Sequence, residues 1–336
     1  MILYVRKNMK VSHETRVVPF REALVPTGFW KLCQPSREPT IVWIIRHYIP
    51  ERRGAAELMA HDVNKYFVDG LGWKVLVITP YSSVKSYNGV PIMQFYEKTD
   101  IELALAKAHC ILCQGDVVET AAITAQRCKL PLVLFSYDRK FGPWIEKAKS
   151  LCKNVNLVNT VGSEAHGLNS IVLGPPVDWR RYVTQTERRY ITLVNLSSAN
   201  GSKEFFEIAA ALPEYEFLAV ADSYENAYSD PKSSNVTLWN YQIDMRVVYN
   251  VTGILCVFSE GQERFGIEAA ASGIPIAGPV AGIGDAALEL NADTIRKLKT
   301  DGLFYKKYSE LSAKRAKEVN SNFEKFKVWI EDLERF

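Results

Sequence analysis

The sequence predicts two doubly wound α/β domains with parallel sheets, set in series and facing one another across a cleft. Three observations predict this. A β-α-β rhythm begins at Thr40, it breaks at Gly174-Pro-Pro-Val-Asp178, and the same rhythm restarts at Tyr190. Ligands of such sheets bind beyond the carboxyl ends of the strands, where the strand order reverses. Two sheets in series therefore suit the joining of two substrates.

The elements follow in order. Ile41-Val-Trp-Ile-Ile45 is a continuous apolar run, as in a strand buried on both faces. Arg46 to Arg53 is a loop. From Gly54 to Val68, Met59, Val63, Tyr66 and Phe67 recur at helical period, and Gly70 and Gly72 stop the helix. A strand is predicted at 74–79, with further strands at 92–95, 110–114, 130–136, 155–161 and 171–173 and helices at 101–108 and 117–128. Beyond the break, strands are predicted at 190–194, 217–221, 236–239, 254–259 and 274–277, with helices at 202–212, 244–249, 265–272 and 285–290. The stretch from Asn291 onward is charged and helical. Residues 1–39, broken by Pro19, Pro26, Pro35 and Pro39, read as an N-terminal extension. The expected organisation is thus 1–39 extension, 40–175 first domain, 176–315 second domain, and 316–336 a helix packing back on the first domain.

Composition narrows the class. The chain has 336 residues, 47% hydrophobic and 24% charged, which suits two globular cores. No apolar run reaches the roughly 18–20 residues of a membrane span. Met1 to Lys10 lacks the apolar core of a signal peptide, so the expected compartment is the cytoplasm. A net charge of +3 neither requires nor excludes an anionic partner. The six cysteines are Cys33, Cys110, Cys113, Cys128, Cys152 and Cys256. Cys110 and Cys113 form a C-x-x-C inside a strand-like run, with no second pair or matching histidines to make a metal site.

The stretch Phe258-Ser-Glu-Gly-Gln-Glu-Arg-Phe-Gly-Ile-Glu-Ala-Ala-Ala-Ser-Gly-Ile-Pro275 carries the chemistry. A buried strand ends at Ser259, a polar loop follows, and a helix opens near Phe265 and Gly266. Unpaired N–H groups at a helix start suit a diphosphate. The neighbouring carboxylates suit sugar hydroxyls, which they accept from. One anion pocket with two hydroxyl acceptors describes a nucleoside diphosphate sugar.

At these residues the sequence resembles the nucleotide-sugar glycosyltransferases of the two-domain, Rossmann-like GT-B fold. The resemblance is to the large retaining group that includes bacterial mannosyltransferases and sucrose synthase. That pattern is a strand, Ser, Glu-x-Phe-Gly, then Glu-Ala-x-Ala-x-Gly-x-Pro. Here it reads Ser259, Glu263-Arg-Phe-Gly266 and Glu268-Ala-Ala-Ala-Ser-Gly-Ile-Pro275. Gly282-Ile-Gly-Asp285, Pro50-Glu-Arg-Arg-Gly-Ala-Ala-Glu57, Gly174-Pro-Pro-Val-Asp178 and Asp244-Met-Arg-Val-Val-Tyr249 resemble further parts of it, so that the resemblance covers about residues 40–290. The compact chain and its shortened donor helix also resemble phage-encoded glycosyltransferases.

The resemblance implies roles. Glu268 would accept from the ribose hydroxyls, and a loop Glu from the transferred sugar. Glu260 meets the Glu-x7-Glu spacing to Glu268, whereas Glu263 meets the Glu-x-Phe-Gly context and is preferred. Phe265 and Gly266 would set the helix start at the diphosphate. Tyr241 to Ile243 would lie by the nucleobase, and Gly54 would let the first loop approach the donor. The donor would be a UDP- or GDP-linked sugar with no further cofactor and no metal, transferred with retention. The family's Arg and Lys clamp is missing: Asn195 and Asn200 stand nearest, and Lys203 or Arg264 is the substitute. Asp116, at a strand end, either orients the acceptor hydroxyl or caps the following helix. The acceptor is open among a glycan, a lipid, a small molecule, a protein and a modified DNA base. Two alternatives use the same fold: a nucleotide-sugar epimerase or hydrolase, and a non-catalytic nucleotide-sugar-binding protein.

Overall fold

The protein is seen here as a computed structural model that describes residues 40–136, 141–159, 165–221, 233–259, 262–319 and 321–333. In the first half the elements are β1 (Thr40–Ile44), α1 (Ala55–Lys65), β2 (Lys74–Thr79), β3 (Ser86–Tyr87), β4 (Val90–Gln94), α2 (Lys98–Lys107), β5 (Cys110–Cys113), α3 (Val118–Cys128), β6 (Leu132–Ser136), α4 (Gly142–Leu151), β7 (Val155–Asn159) and β8 (Asn169–Val172). The second half has β9 (Tyr190–Leu196), α5 (Ser202–Ala211), β10 (Phe217–Ala221), β11 (Val236–Trp239), α6 (Met245–Val251), β12 (Thr252–Cys256), α7 (Glu263–Ala271), β13 (Ile276–Ala277), β14 (Ala287–Leu288), α8 (Ala292–Thr300), α9 (Gly302–Val319) and α10 (Ser321–Glu331).

Two sheets result. The first has the order β3-β4-β2-β1-β5-β6-β7-β8 and is parallel except for the β3–β4 hairpin. The second is parallel throughout, in the order β11-β10-β9-β12-β13-β14. Alternation along β1 shows why both faces are covered. Val42 and Ile44 pack with Ile101, Ala121 and Ile145 of α2, α3 and α4. Ile41 and Trp43 pack on the other face with Met59 and Val63 of α1 and with Phe326 and Ile330 of α10. In the second sheet α5 and α8 cover one face through Phe205 and Ile295, while α6, α7 and α9 cover the other through Val248, Ile267 and Ala316. The architecture is the predicted α/β one, with two parallel-sheet Rossmann-like domains.

The chain between the sheets changes core within a few residues: Leu173 belongs to the first and Val177 to the second. α9 runs on to Val319 inside the second core, past the boundary expected at 315, and Phe323, Phe326, Ile330 and Leu333 then enter the first. No helix among the described residues is long and apolar enough to cross a membrane.

One predicted element is corrected. Residues 285–290 are not a helix. A 3-10 turn covers Ala281–Ala286, and Ala287–Leu288 then pairs in parallel with Ile276–Ala277 as the edge strand β14. Alanine-rich sequence favours helix locally, but an unpaired sheet edge beside it offers hydrogen bonds that decide the matter. The hairpin strand β3 and helix α4 carry no strong period and were not anticipated. Of the cysteines, Cys110, Cys113, Cys128, Cys152 and Cys256 are buried free thiols, and Cys33 lies outside the described residues.

Candidate functional site

Strand order reverses between β1 and β5 in the first sheet and between β9 and β12 in the second. Loops leaving neighbouring strands in opposite directions open a crevice at each point. Both crevices are present, and the start of α1 lies between them. Arg53, Gly54 and Ala55 line one, together with Asn195, Tyr241 and Phe265 of the second domain. Arg52, Ala56 and Glu57 line the other, together with Arg46, His47 and Asp116 of the first domain.

The crevice between the domains is closed, with a cavity of only ≈ 20 Å³, room for about one water. It brings together four residues singled out from the sequence: Gly54, Asn195, Tyr241 and Phe265. Tyr241 Oη donates to the carbonyl of Arg53 at 2.9 Å, joining the two domains across it. Gly54 caps α1 without a side-chain hydrogen bond of its own, and the Glu57 carboxyl takes up the amides of Gly54 and Glu57, leaving those of Ala55 and Ala56 at the helix start. Arg53 adds a cation there, its Nη2 donating to Tyr87 Oη at 2.7 Å. The sequence reading missed Arg52 and Arg53 as candidates. Their signal was the arginine pair directly before a small-residue helix start.

On the second-domain side, the loops after β9 and β12 are knitted by polar side chains. Ser259 Oγ donates to Asn200 Oδ1 at 3.0 Å, and Asn200 Nδ2 donates to the carbonyl of Asn195 at 2.9 Å. Asn195 has φ 65°, a left-handed conformation that asparagine tolerates. Gln262, not anticipated, is the central tie. Its Oε1 accepts from the amides of Phe258 and Ser259 at 2.9 and 3.3 Å, and its Nε2 donates to the carbonyl of Val194 at 2.9 Å. Gly266 lies within α7, where a β-carbon would come within 2.6 Å of Val280 Cγ2, so its smallness lets the helix seat on the following loop. Glu263, the first residue of α7, is buried and accepts from the amide of Gly282 at 2.8 Å. Glu260 lies outside the described residues.

Beneath this surface is a buried charge cluster whose Asp62 and Arg181 also line the cavity behind α1. Glu268 is fully buried; Tyr249 Oη donates to its Oε2 at 2.8 Å and Arg264 Nε stands 2.6 Å from its Oε1. Arg264 Nη2 donates at 2.7 Å both to Asp62 Oδ2 on α1 and to Tyr182 Oη. Arg181 also pairs with Asp62. Burial pushes the Glu268 carboxyl up, against the opposing pull of Arg264 and Tyr249. The cluster thus joins α1 of the first domain to α7 of the second. A ribose reaching Glu268 has to displace one of these partners. Arg264, one substitute for the missing diphosphate clamp, is committed to Asp62 and Tyr182. Lys203, the other, is not brought to the crevice: its side chain is 83% exposed and stands 3.8 Å from Glu207. Ile243 is exposed as well, outside the cavity that Tyr241 lines.

The first-domain crevice is larger, at ≈ 420 Å³. Asp116 lies in a 3-10 turn after β5 and is ion-paired with Arg46 from the loop after β1. The Asp116 carboxylate is therefore held at the crevice rather than turned to cap the next helix, which starts without a side-chain cap. Burial pushes the Glu57 carboxyl up, against the amides of Glu57 and Gly54 and the charge of Arg52. Burial and the charges of Arg52 and Arg46 push His47 down. A hydroxyl entering here meets one exposed carboxylate acceptor and two cationic donors.

Two larger cavities lie elsewhere. One of ≈ 690 Å³ sits behind α1 against the interdomain linker, lined by His61, Lys65 and Arg180. The other, of ≈ 800 Å³, lies beside α5 and is rimmed by Glu204, Glu207 and Glu289 with no basic residue in its lining. That charge opposes a diphosphate, and neither cavity lies between the two domains' strand ends.

No protein-family model matches the sequence, and a search of curated proteins finds no match. Solved structures do match in fold. Anabaena HepE, solved in complex with UDP and glucose, aligns with TM-score 0.70 at 14% identity, over 87% of this chain and 99% of its own. A glycosyltransferase from Rickettsia africae aligns at 0.64 and 13% identity, over 88% of this chain and 99% of its own. WaaG, a glycosyltransferase involved in lipopolysaccharide biosynthesis, aligns at 0.58 and 15%, over 87% of this chain and all 100% of its own. With two parallel-sheet domains facing across a cleft and these neighbours over nearly the whole described length, the chain has the GT-B fold.

Proposed function

We propose that this protein is a glycosyltransferase that moves a sugar from a nucleoside diphosphate to an acceptor hydroxyl. The observation that carries the reading is the placement of one helix start between two crevices. Arg53 and Gly54 face the interdomain side, where the donor would lie, and Arg52 and Glu57 face the first-domain side, where the acceptor would lie. The amides of α1 and the Arg53 guanidinium stabilise charge on the departing diphosphate. The acceptor oxygen bonds to the anomeric carbon on the same face from which the phosphate oxygen leaves, as the bond from that carbon to the phosphate oxygen breaks. The nucleoside diphosphate leaves with the electron pair, and Asp116 takes the acceptor proton.

A UDP-linked hexose is the favoured donor, because HepE, the similar structure, was solved with UDP and with UDP-glucose. Retention rests on the resemblance of the Glu268–Pro275 segment. Because the interdomain cavity is closed, donor binding requires the domains to part and reclose, which keeps water from the reacting carbon. The first-domain crevice favours transfer over hydrolysis or epimerisation, which need no acceptor room. One observation favours a non-catalytic binder instead: Lys203 lies away from the crevice and Arg264 is engaged with Asp62 and Tyr182, so neither clamps the diphosphate in this conformation.

The test is calorimetric titration with UDP and GDP, beside an assay for nucleotide release from UDP-glucose. UDP is expected to bind, with an affinity about tenfold weaker in Arg53→Ala through loss of a charged hydrogen bond. Release should depend on added acceptor. Release without acceptor would replace the transferase with a hydrolase. Binding without release under any acceptor would leave the binder, and no binding of either nucleotide would end the reading.

A further inference from the structure

Four loops stand side by side at the carboxyl edge of the first sheet. Ile44 of β1 pairs with Ile78 of β2 on one side and Cys113 of β5 on the other, and Thr79 of β2 pairs with Gln94 of β4. Continuing each strand two or three residues places Asp116, Arg46, Tyr81 and Tyr96 in that order along the edge. Three strand intervals span about 14 Å, more than one sugar ring.

Tyr81 is 58% exposed and Tyr96 is 72% exposed. A single exposed aromatic is ordinary, but two at adjacent strand ends of the edge that carries Asp116 and Arg46 offer apolar surface to a ligand extending along it. The loops that carry them are tied in place. Thr79 Oγ1 donates to the carbonyl of Arg46 at 2.8 Å, and Gln94 Nε2 donates to the carbonyl of Ser82 at 2.7 Å. Glu51 Oε1 accepts from Ser83 Oγ at 2.7 Å, and Glu97 Oε2 accepts from the amide of Gln94 at 2.7 Å. The rings therefore stand on a preorganised edge, which lowers the ordering cost of binding.

The surrounding chemistry selects the ligand. Flat rings accept the C–H face of a pyranose or the face of a nucleobase. The carboxylates of Glu51 and Glu97 beside the rings, with Arg46 and Arg52 at the crevice, make a mixed-charge edge that suits the hydroxyls of a neutral ligand better than the uniform negative charge of a phosphate backbone. We propose that the acceptor is a saccharide of at least two units, with its reactive hydroxyl at Asp116 and its further units laid over Tyr81 and Tyr96. This rests on the glycosyltransferase reading and assigns the acceptor class to it.

The experiment probes a glycan array of mono- to tetrasaccharides with the full chain and with a Tyr81→Ala/Tyr96→Ala variant, and measures UDP binding to both by calorimetry. The full chain is expected to retain glycans of two or more units and to pass over monosaccharides. The variant should lose about tenfold in retention, the sum of two stacking contacts, with UDP affinity unchanged. A Tyr81→Phe/Tyr96→Phe variant should retain binding, since it keeps the rings. Equal retention by the alanine variant, or equal retention of monosaccharides, overturns the tyrosine platform. No saccharide retained while UDP still binds overturns the saccharide acceptor and leaves the donor reading standing. Loss of UDP binding by the full chain overturns that reading itself.

Discussion

The two crevices that meet at Gly54 are built from different materials. The interdomain one is lined mostly by small and apolar residues and aromatic rings with the single cation Arg53, is shut to ≈ 20 Å³, and is backed by the buried Asp62–Arg264–Glu268 cluster. The first-domain one is lined by charged side chains, several of them in water, and stands open at ≈ 420 Å³. The buried charges hold the domains in one relation because separating them leaves an ion without its partner. Exposed charges at the open crevice hold little, since water replaces a lost partner at small cost. One side of the same helix start is thus a seam and the other a receptacle.

The contrast breaks most sharply at Arg264. Arg264→Ala leaves Glu268 in the interior without a cation, while Asp62 keeps Arg181, and should cost about 3–5 kcal/mol in urea unfolding. A loss below about 1 kcal/mol, the worth of a surface pair, would show that the cluster does not hold the seam.

Acid should act next, behind the same helix. His61 lies on α1 beside Asp62, and Tyr48 Oη stands 2.8 Å from its Nδ1. Burial, then the charges of Arg181 and Lys65, push its pKa down to about 3. The fold keeps the ring neutral, whereas the unfolded chain takes up a proton below about pH 6.5. The stabilisation is therefore complete above that pH and is lost as pH falls toward the folded value. By pH 5 the loss should be about 2 kcal/mol. Urea midpoints measured from pH 7 to 5 should show it, and His61→Gln should flatten that slope. An unchanged slope in the variant would assign the acid loss to other groups.

A smaller effect sharpens the comparison at the mouth of the seam. Tyr241→Phe removes one hydrogen bond between the domains and should cost about 1 kcal/mol. Stopped-flow binding should show UDP entering faster, because less holds the crevice shut. A slower entry would mean that Tyr241 serves the nucleotide and not the closure. The least effect belongs to Lys203. It stands in water beside Glu207, so Lys203→Ala should leave UDP affinity within about twofold, the range of ordinary surface changes. A tenfold loss would bring that lysine to the donor in the closed complex.

Much of the fold was legible because its strands are buried on both faces. Ile41 to Ile45 and Leu130 to Ser136 are continuous apolar runs, and few other structures admit them. The elements that escaped lack such a pattern. β14 is two residues long, and its strand state comes from β13 beside it. Positions around the site divided in the same way. Gly54, Asn195, Tyr241 and Phe265 were named from the family resemblance and do line one cavity, since loops at adjacent strand ends converge wherever the sheet forms. Gln262 and Arg53 were not named, because each acts through a partner distant in sequence: Val194 for the one, Tyr87 for the other.

By itself the sequence determined the two parallel-sheet domains, because hydrophobic period and turn residues are local properties of a chain. Only the tertiary structure decided what each charge does. Arg264 and Lys203 were equal substitutes as letters. Packing buried one against Asp62 of the other domain and left the other in water, because a guanidinium's role is set by the dielectric and the partners that folding places around it.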